Sequence, residues 1–206
     1  GAGRCPGGAG RGCVEHCIGT AGRSGFLAAS GGEAPAEAFL YGLLHDVGKL
    51  LIMKLGRQSP PYGIALPADS EIDEILVEMH AEAGGFLIHS WGLPERLFDP
   101  IVWHHDPAKA KQNVTGTAIV YAANRLAHRY GFACERDESN LLADPVVAEL
   151  GFDAARLAYL DLKAPEPFEL DTKVMQGTPE ADLLRPWARR IRLPGVGTHP
   201  GHARGR

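Results

Sequence analysis

Apolar residues along the chain recur at three- and four-residue steps, with no sustained two-residue alternation and no Asn-Gly hairpin signal, so the elements the pattern predicts are helices. The clearest spans residues 71–91, where Ile72, Ile75, Leu76, Met79, Ala83, Phe86, Leu87 and Trp91 share one face that is expected to turn inward. Gly92 suits the left-handed cap that closes it, and Pro94 suits the first turn of a helix burying Leu97, Phe98, Ile101 and Val102. That helix must stop near Asp106, because Pro107 disfavours helical geometry in the residue before it. Residues 117–130 bury Ile119, Val120, Ala123, Leu126 and Ala127, and two shorter helices follow at 144–150 and 153–162, the second capped by Asp153. Upstream, a glycine-diluted helix at 16–29 carries Ile18, Ala21, Phe26 and Leu27. The next begins at Pro35 and runs unbroken to about residue 55, ending at Gly56. The expected fold class is all-α, a bundle with one substantial core.

One stretch breaks the apolar pattern. In "AFLYGLLHDVGKLLIMK", residues 38–54, nearly every position suits a buried helix, yet His45, Asp46 and Lys49 sit inside the run. Buried ionisable groups are costly unless they are paired or hold a metal. His16, His80, His104 and His105 lie beside apolar stripes of other predicted helices, and Gly84, one turn from His80, leaves room there for a backbone or a ligand. A bundle can turn such positions inward and assemble a metal site from several helices. Imidazoles with a carboxylate suit Mn, Fe, Zn or Ni, one or two ions, and Lys49 could reach a ligand phosphate. Blander readings stand beside this one. A histidine on an apolar face is commonly a hydrogen-bonded core residue, His104 and His105 could serve a helix C-terminus, and Lys49 could simply pair with Asp46. Cys13 and Cys17 around His16 also give a separate zinc-like pattern, Cys-x-x-His-Cys. His89 and His128 are expected in solvent, and His199 and His202 fall in the tail.

Composition narrows the function classes. A net charge of −4 and a pI near 6.1 argue against a general nucleic-acid binder, while leaving a local site for a nucleotide or other phosphate ester. Asp46 and Lys49 interrupt the longest apolar run, so no membrane segment is expected, and the glycine-rich start lacks the apolar core of a signal peptide; a cytoplasmic location follows as the default. Four cysteines do not suggest a disulfide framework. Residues 1–13 read as a disordered or aberrant segment, 14–165 as the helical domain, and 166–206 as a Pro/Gly/Arg-rich tail; a fragment of a longer protein is plausible.

"GLLHDVGKL" resembles the signature of the HD superfamily of metal-dependent phosphohydrolases. "HAEAGGFLIHSWGLPERLFDPIVWHHDP" and "VVAELGFDAARLAYL" are similar to later segments of its HDOD branch, the HD-related output domains of bacterial signalling proteins. The resemblance covers about residues 14–165. It implies an HD-like bundle working as a signalling output module, with other signalling proteins or domains as partners, or else an active phosphohydrolase. It also implies His16 as the first metal ligand, His45 and Asp46 as the next pair, His80 with His104 or His105 at a second metal, and Asp46 and Lys49 as the catalytic groups. The final HD aspartate is replaced by Asn124, in "YAANRLA", where an amide oxygen brings no negative charge. No Gly-Tyr-Pro element follows His105, which counts against cyclic dinucleotides as the substrate.

Overall fold

The computed structural model describes residues 9–31, 33–56, 68–133 and 136–163. Residues 1–8, the expected tail with His199 and His202, Cys5 and Cys134 lie outside the described residues. What is described is all helical: α1 (Ala9–Gly31), α2 (Pro35–Leu44), α3 (Val47–Gly56), α4 (Asp69–Ser90), α5 (Phe98–Val102), α6 (Val114–Arg129), α7 (Pro145–Glu149) and α8 (Ala154–Lys163). The all-α expectation holds, with no strand among the described residues.

Local chemistry explains most boundaries. Pro35 occupies the first turn of α2, where its missing N–H costs nothing, and Glu71 Oε2 accepts from the Ala68 N–H (2.7 Å) to start α4. Gly92 takes a positive φ of 61° after α4, as the left-handed cap requires. Asn113 Oδ1 caps α6 by accepting from the Gly116 N–H, and Asp144 and Asp153 cap α7 and α8 in the same manner. The first helix begins at Ala9, seven residues before its expected start at residue 16, so Cys13 and His16 lie well inside it.

The helix expected over 35–55 is in fact two. The regular ladder stops after Leu44, His45 and Asp46 form a turn, and α3 restarts at Val47. The Lys49 N–H closes that restart on the Asp46 carbonyl at 2.9 Å, a three-residue step. His45, Asp46, Val47 and Gly48 are all weak helix formers, and at this weak point the two halves take different packing partners. α2 lies along α1 and α3 lies along α4.

Those two packings are backbone-close. A Cβ on Gly42 would stand 2.8 Å from the Ala21 Cα, and one on Gly48 would stand 1.9 Å from the His80 carbonyl oxygen and 2.5 Å from the Gly84 nitrogen. The buried stripe of α4 is accordingly His80, Gly84 and Ile88, with Leu76 half-buried a turn earlier. The inward face expected for this helix is corrected: Ile75, Met79 and Phe86 are exposed, Phe86 by 65%. The residues admitting the close crossing are too small to register as hydrophobic, so the larger apolar residues beside them dominate the periodicity. Phe98, expected inside, is also 39% exposed, whereas Leu97 and Ile101 are buried as expected.

The core joins α1, α2, α5 and α6 through Leu27, Tyr41, Ile101, Ile119, Val120, Ala123 and Leu126. Asp99, buried in α5, fixes the approach to α6: its Oδ2 accepts from the Lys111, Gln112 and Asn113 N–H groups at 2.8, 2.6 and 3.0 Å. Gly48→Ala should lower the melting temperature by about 4 °C, because a Cβ 1.9 Å from a backbone oxygen puts the cost of displacing backbone near ~3 kcal/mol, which outweighs the ~1 kcal/mol helix-propensity gain. Thermal unfolding of the purified variant checks this; an unchanged or raised melting temperature would contradict the crossing.

Candidate metal centre

The turn between α2 and α3 puts the Asp46 carboxylate in the interior, 1% exposed, and four neighbouring elements send imidazoles to it. His16 comes from α1, His45 from the turn itself, His80 from α4, and His104 and His105 from the bend after α5. The Nε2 atoms of His16 and His45 lie 3.5 and 3.4 Å from Asp46 Oδ2, and those of His80 and His104 lie 3.4 and 3.8 Å from Oδ1. Around these oxygens the rings meet each other: His16 and His45 Nε2 are 3.2 Å apart, His80 and His104 Nε2 3.3 Å, and His80 and His105 Nε2 3.0 Å.

The other ring nitrogens decide what these contacts are. The Nδ1–H groups of His45, His80 and His104 donate to the carbonyls of Gly42, Leu76 and Ile101 at 2.7, 2.6 and 2.8 Å. A carbonyl only accepts, so Nδ1 carries the proton and, in the neutral ring, Nε2 carries a lone pair. His80 Nε2, His104 Nε2 and Asp46 Oδ1 are thus three acceptors facing one another, and Asp46 Oδ1 has no hydrogen-bond partner. Acceptors gather this way around a cation. Ligand atoms held about 2.0–2.2 Å from one ion stand roughly 3–3.5 Å apart, the spacing found here. Backbone carbonyls orienting the remote nitrogen are also the outer-shell arrangement usual for metal-binding histidines. The donors fit a divalent ion in two triads, His16, His45 and Asp46 on one side and His80, His104 and His105 on the other, with the two Asp46 oxygens facing one triad each.

Burial sets the protonation. It holds His16 down to about 3, assisted by His45, and pushes His45, His80 and His104 below the ordinary histidine value. Burial alone would raise Asp46, but a proton arriving on His45 and the ammonium of Lys49 both attract it, and its carboxyl stays well below the usual range. With the histidines neutral, Lys49 is the cation that remains against it, its Nζ 2.6 Å from Oδ2 and its side chain 30% exposed.

A family profile for the HDOD domain matches residues 10–107. The chain carries an HDOD domain. Two solved structures share the fold. An HDOD domain protein of unknown function from Geobacter sulfurreducens aligns over 82% of this chain and 65% of its own, at 22% identity and a TM-score of 0.58. A candidate signal transduction protein from Marinobacter aquaeolei VT8 aligns over 80% and 38%, at 23% identity and a TM-score of 0.55. Among curated proteins, ribonuclease Y of Thermus thermophilus is 31% identical over 114 residues, which are 55% of this chain and 16% of that one. The chain therefore spans less than two thirds of each of these relatives.

Within the HDOD domain, His16, His45, Asp46, Lys49, His80, His104 and His105 come together in one cluster. Asn124 stands on α6, buried, its Oδ1 without a hydrogen-bond partner. One turn further along α6, His128 departs from its expected place in solvent: it is half-buried, and its ring meets that of His16 edge-on at 5.1 Å. Its spacing of four from Asn124 was the available signal. His89 is exposed as expected.

Histidines held neutral by the fold penalise protonation, so their contribution to stability is complete above the unfolded value near 6.5 and is lost as the pH falls below it. Asp46, depressed from 3.8, adds a loss only below that lower value. The metal-stripped HDOD domain should therefore melt at a constant temperature above about pH 7 and at progressively lower temperatures from pH 6.5 towards 4. Calorimetry across that range tests it, a flat profile being the contrary result.

Proposed function

We propose that this HDOD domain is the output module of a bacterial signalling protein and that its histidine–aspartate pocket holds one or two divalent ions. The observation that carries the pocket is the convergence of lone-pair atoms, Nε2 of His45, His80 and His104 with both Asp46 oxygens, in an interior that offers them few protons to share. Such a donor set suits Mn, Fe, Zn or Ni. Support for the output role comes from the HDOD match and from the likeness to a candidate signal transduction protein. In that role the bound ion stiffens the junction of α1, α2, α3, α4 and α5, and the partners are other signalling proteins or domains.

A second reading, an active phosphohydrolase on a nucleotide or other phosphate ester, is favoured by Lys49, which stands beside the carboxylate and is partly open to solvent. The likeness to ribonuclease Y is in keeping with phosphodiester chemistry. When bound, a divalent ion would supply an activated water and neutralise phosphate charge. Lys49 would then leave Asp46 and bind a phosphate oxygen, while His16, His45, His80, His104 and Asp46 hold position. Asn124 weighs against this reading, since an amide there adds no negative charge to the ligand set.

Elemental mass spectrometry of protein loaded with Mn(II) and desalted should give one to two ions per chain. His45→Ala and Asp46→Ala should reduce that to near zero with helicity by circular dichroism unchanged; no retained metal in the unaltered chain would remove the pocket from the proposal. In the same assay Asn124→Asp should raise Mn(II) affinity severalfold. If it also creates hydrolysis of a bis-aryl phosphate ester absent from the parent, the parent is an output module that has lost turnover.

A further inference from the structure

The histidine centre leaves two thiols unused. Cys13 and Cys17 are one turn apart on α1, both half-buried and both free of a disulfide. The two Sγ atoms and one Asp46 carboxylate oxygen all lie within 4.8 Å of one another. This trio reaches Asp46 from α1, as His16 does, yet its donors differ in kind from the imidazoles beside it.

A disulfide does not suit the pair. Residues four apart on a helix keep their Cβ atoms about 5–6 Å apart, beyond the roughly 3.5–4.5 Å a disulfide spans. An ion suits it better, since metal–sulfur bonds of about 2.3 Å bridge two sulfurs one turn apart, and the same four-residue spacing lets paired histidines hold zinc on a helix. Thiolates select zinc over manganese or magnesium, and the Asp46 carboxylate supplies a third ligand.

We propose that Cys13, Cys17 and Asp46 form a separate, thiolate-rich metal position that takes Zn(II). It shares only Asp46 with the histidine centre and does not depend on that centre being filled. The two positions therefore differ in preference, sulfur-bound zinc on the α1 side and a nitrogen- and oxygen-bound ion among the histidines.

Co(II) is the probe, because sulfur ligation gives it a thiolate charge-transfer absorption that imidazole and carboxylate ligands lack. The full chain, reduced and stripped with a chelator, should develop that band with one equivalent of Co(II) and lose it on adding Zn(II). The band should persist in Cys5→Ser/Cys134→Ser and in His80→Ala/His104→Ala, and vanish in Cys13→Ser/Cys17→Ser while Mn(II) retention is unchanged. In the unaltered chain, Zn(II) should also slow alkylation of Cys13 and Cys17 by a maleimide at least tenfold, read by peptide mass spectrometry, with Cys134 unaffected. No band in the unaltered chain, a band that survives Cys13→Ser/Cys17→Ser, or alkylation of Cys13 and Cys17 indifferent to Zn(II) would each overturn the proposal. Failure of the histidine centre would look different, as absent Mn(II) retention with the cobalt band intact.

Discussion

A carboxylate sealed inside a protein must be kept charged by its surroundings or give up its charge, and the architecture around Asp46 is arranged to keep it. Moving such an ion out of water costs several kcal/mol even after relaxation. Against that cost stand the Lys49 ammonium at 2.6 Å and the N-terminus of α3 immediately after Asp46. The break between α2 and α3 serves the same end, since it places the anion at the positive end of α3 and leaves the Gly42 carbonyl, in the last turn of α2, to accept the His45 Nδ1–H. Had the chain continued as one helix, neither group would gain from its position.

The parts of this arrangement that stood out in the sequence were those that violate a pattern. His45, Asp46 and Lys49 interrupt an apolar run, and Ile119, Val120, Ala123, Leu126 and Ala127 of α6 repeat at helical steps, so both were legible. The break at His45–Asp46 was not, because the apolar run continues on both sides and masks the weak helix formers His45, Asp46, Val47 and Gly48, which part where α2 follows α1 and α3 follows α4. Nor was the inner face of α4. Of its buried positions His80, Gly84, Gly85 and Ile88, only the last carries a hydrophobic signal, while Ile75, Met79 and Phe86 carry a strong one and point outward. Hydrophobic periodicity finds the face with most apolar side chains, and a close backbone crossing selects the face with least.

The same crossings set the distances at the site. Ala21 against Gly42 brings α1 near enough for His16 to reach His45, and Gly48 against the His80 carbonyl holds α4 near enough for His80 to reach Asp46. Residues without side-chain chemistry thus fix the geometry of those that have it. Asp99, with three backbone N–H groups on one oxygen, does the equivalent for the segment between α5 and α6 and so for the bend carrying His104 and His105.

The ring orientation of His45, His80 and His104 has a consequence for how such a centre can change over generations. Each of these imidazoles is aimed by a main-chain carbonyl three or four residues before it, not by another side chain. Removing one ring therefore takes nothing from the aim of the others. A lineage can shed these rings singly while the pocket keeps its shape. The inheritance of the geometry is thereby separated from the inheritance of the chemistry.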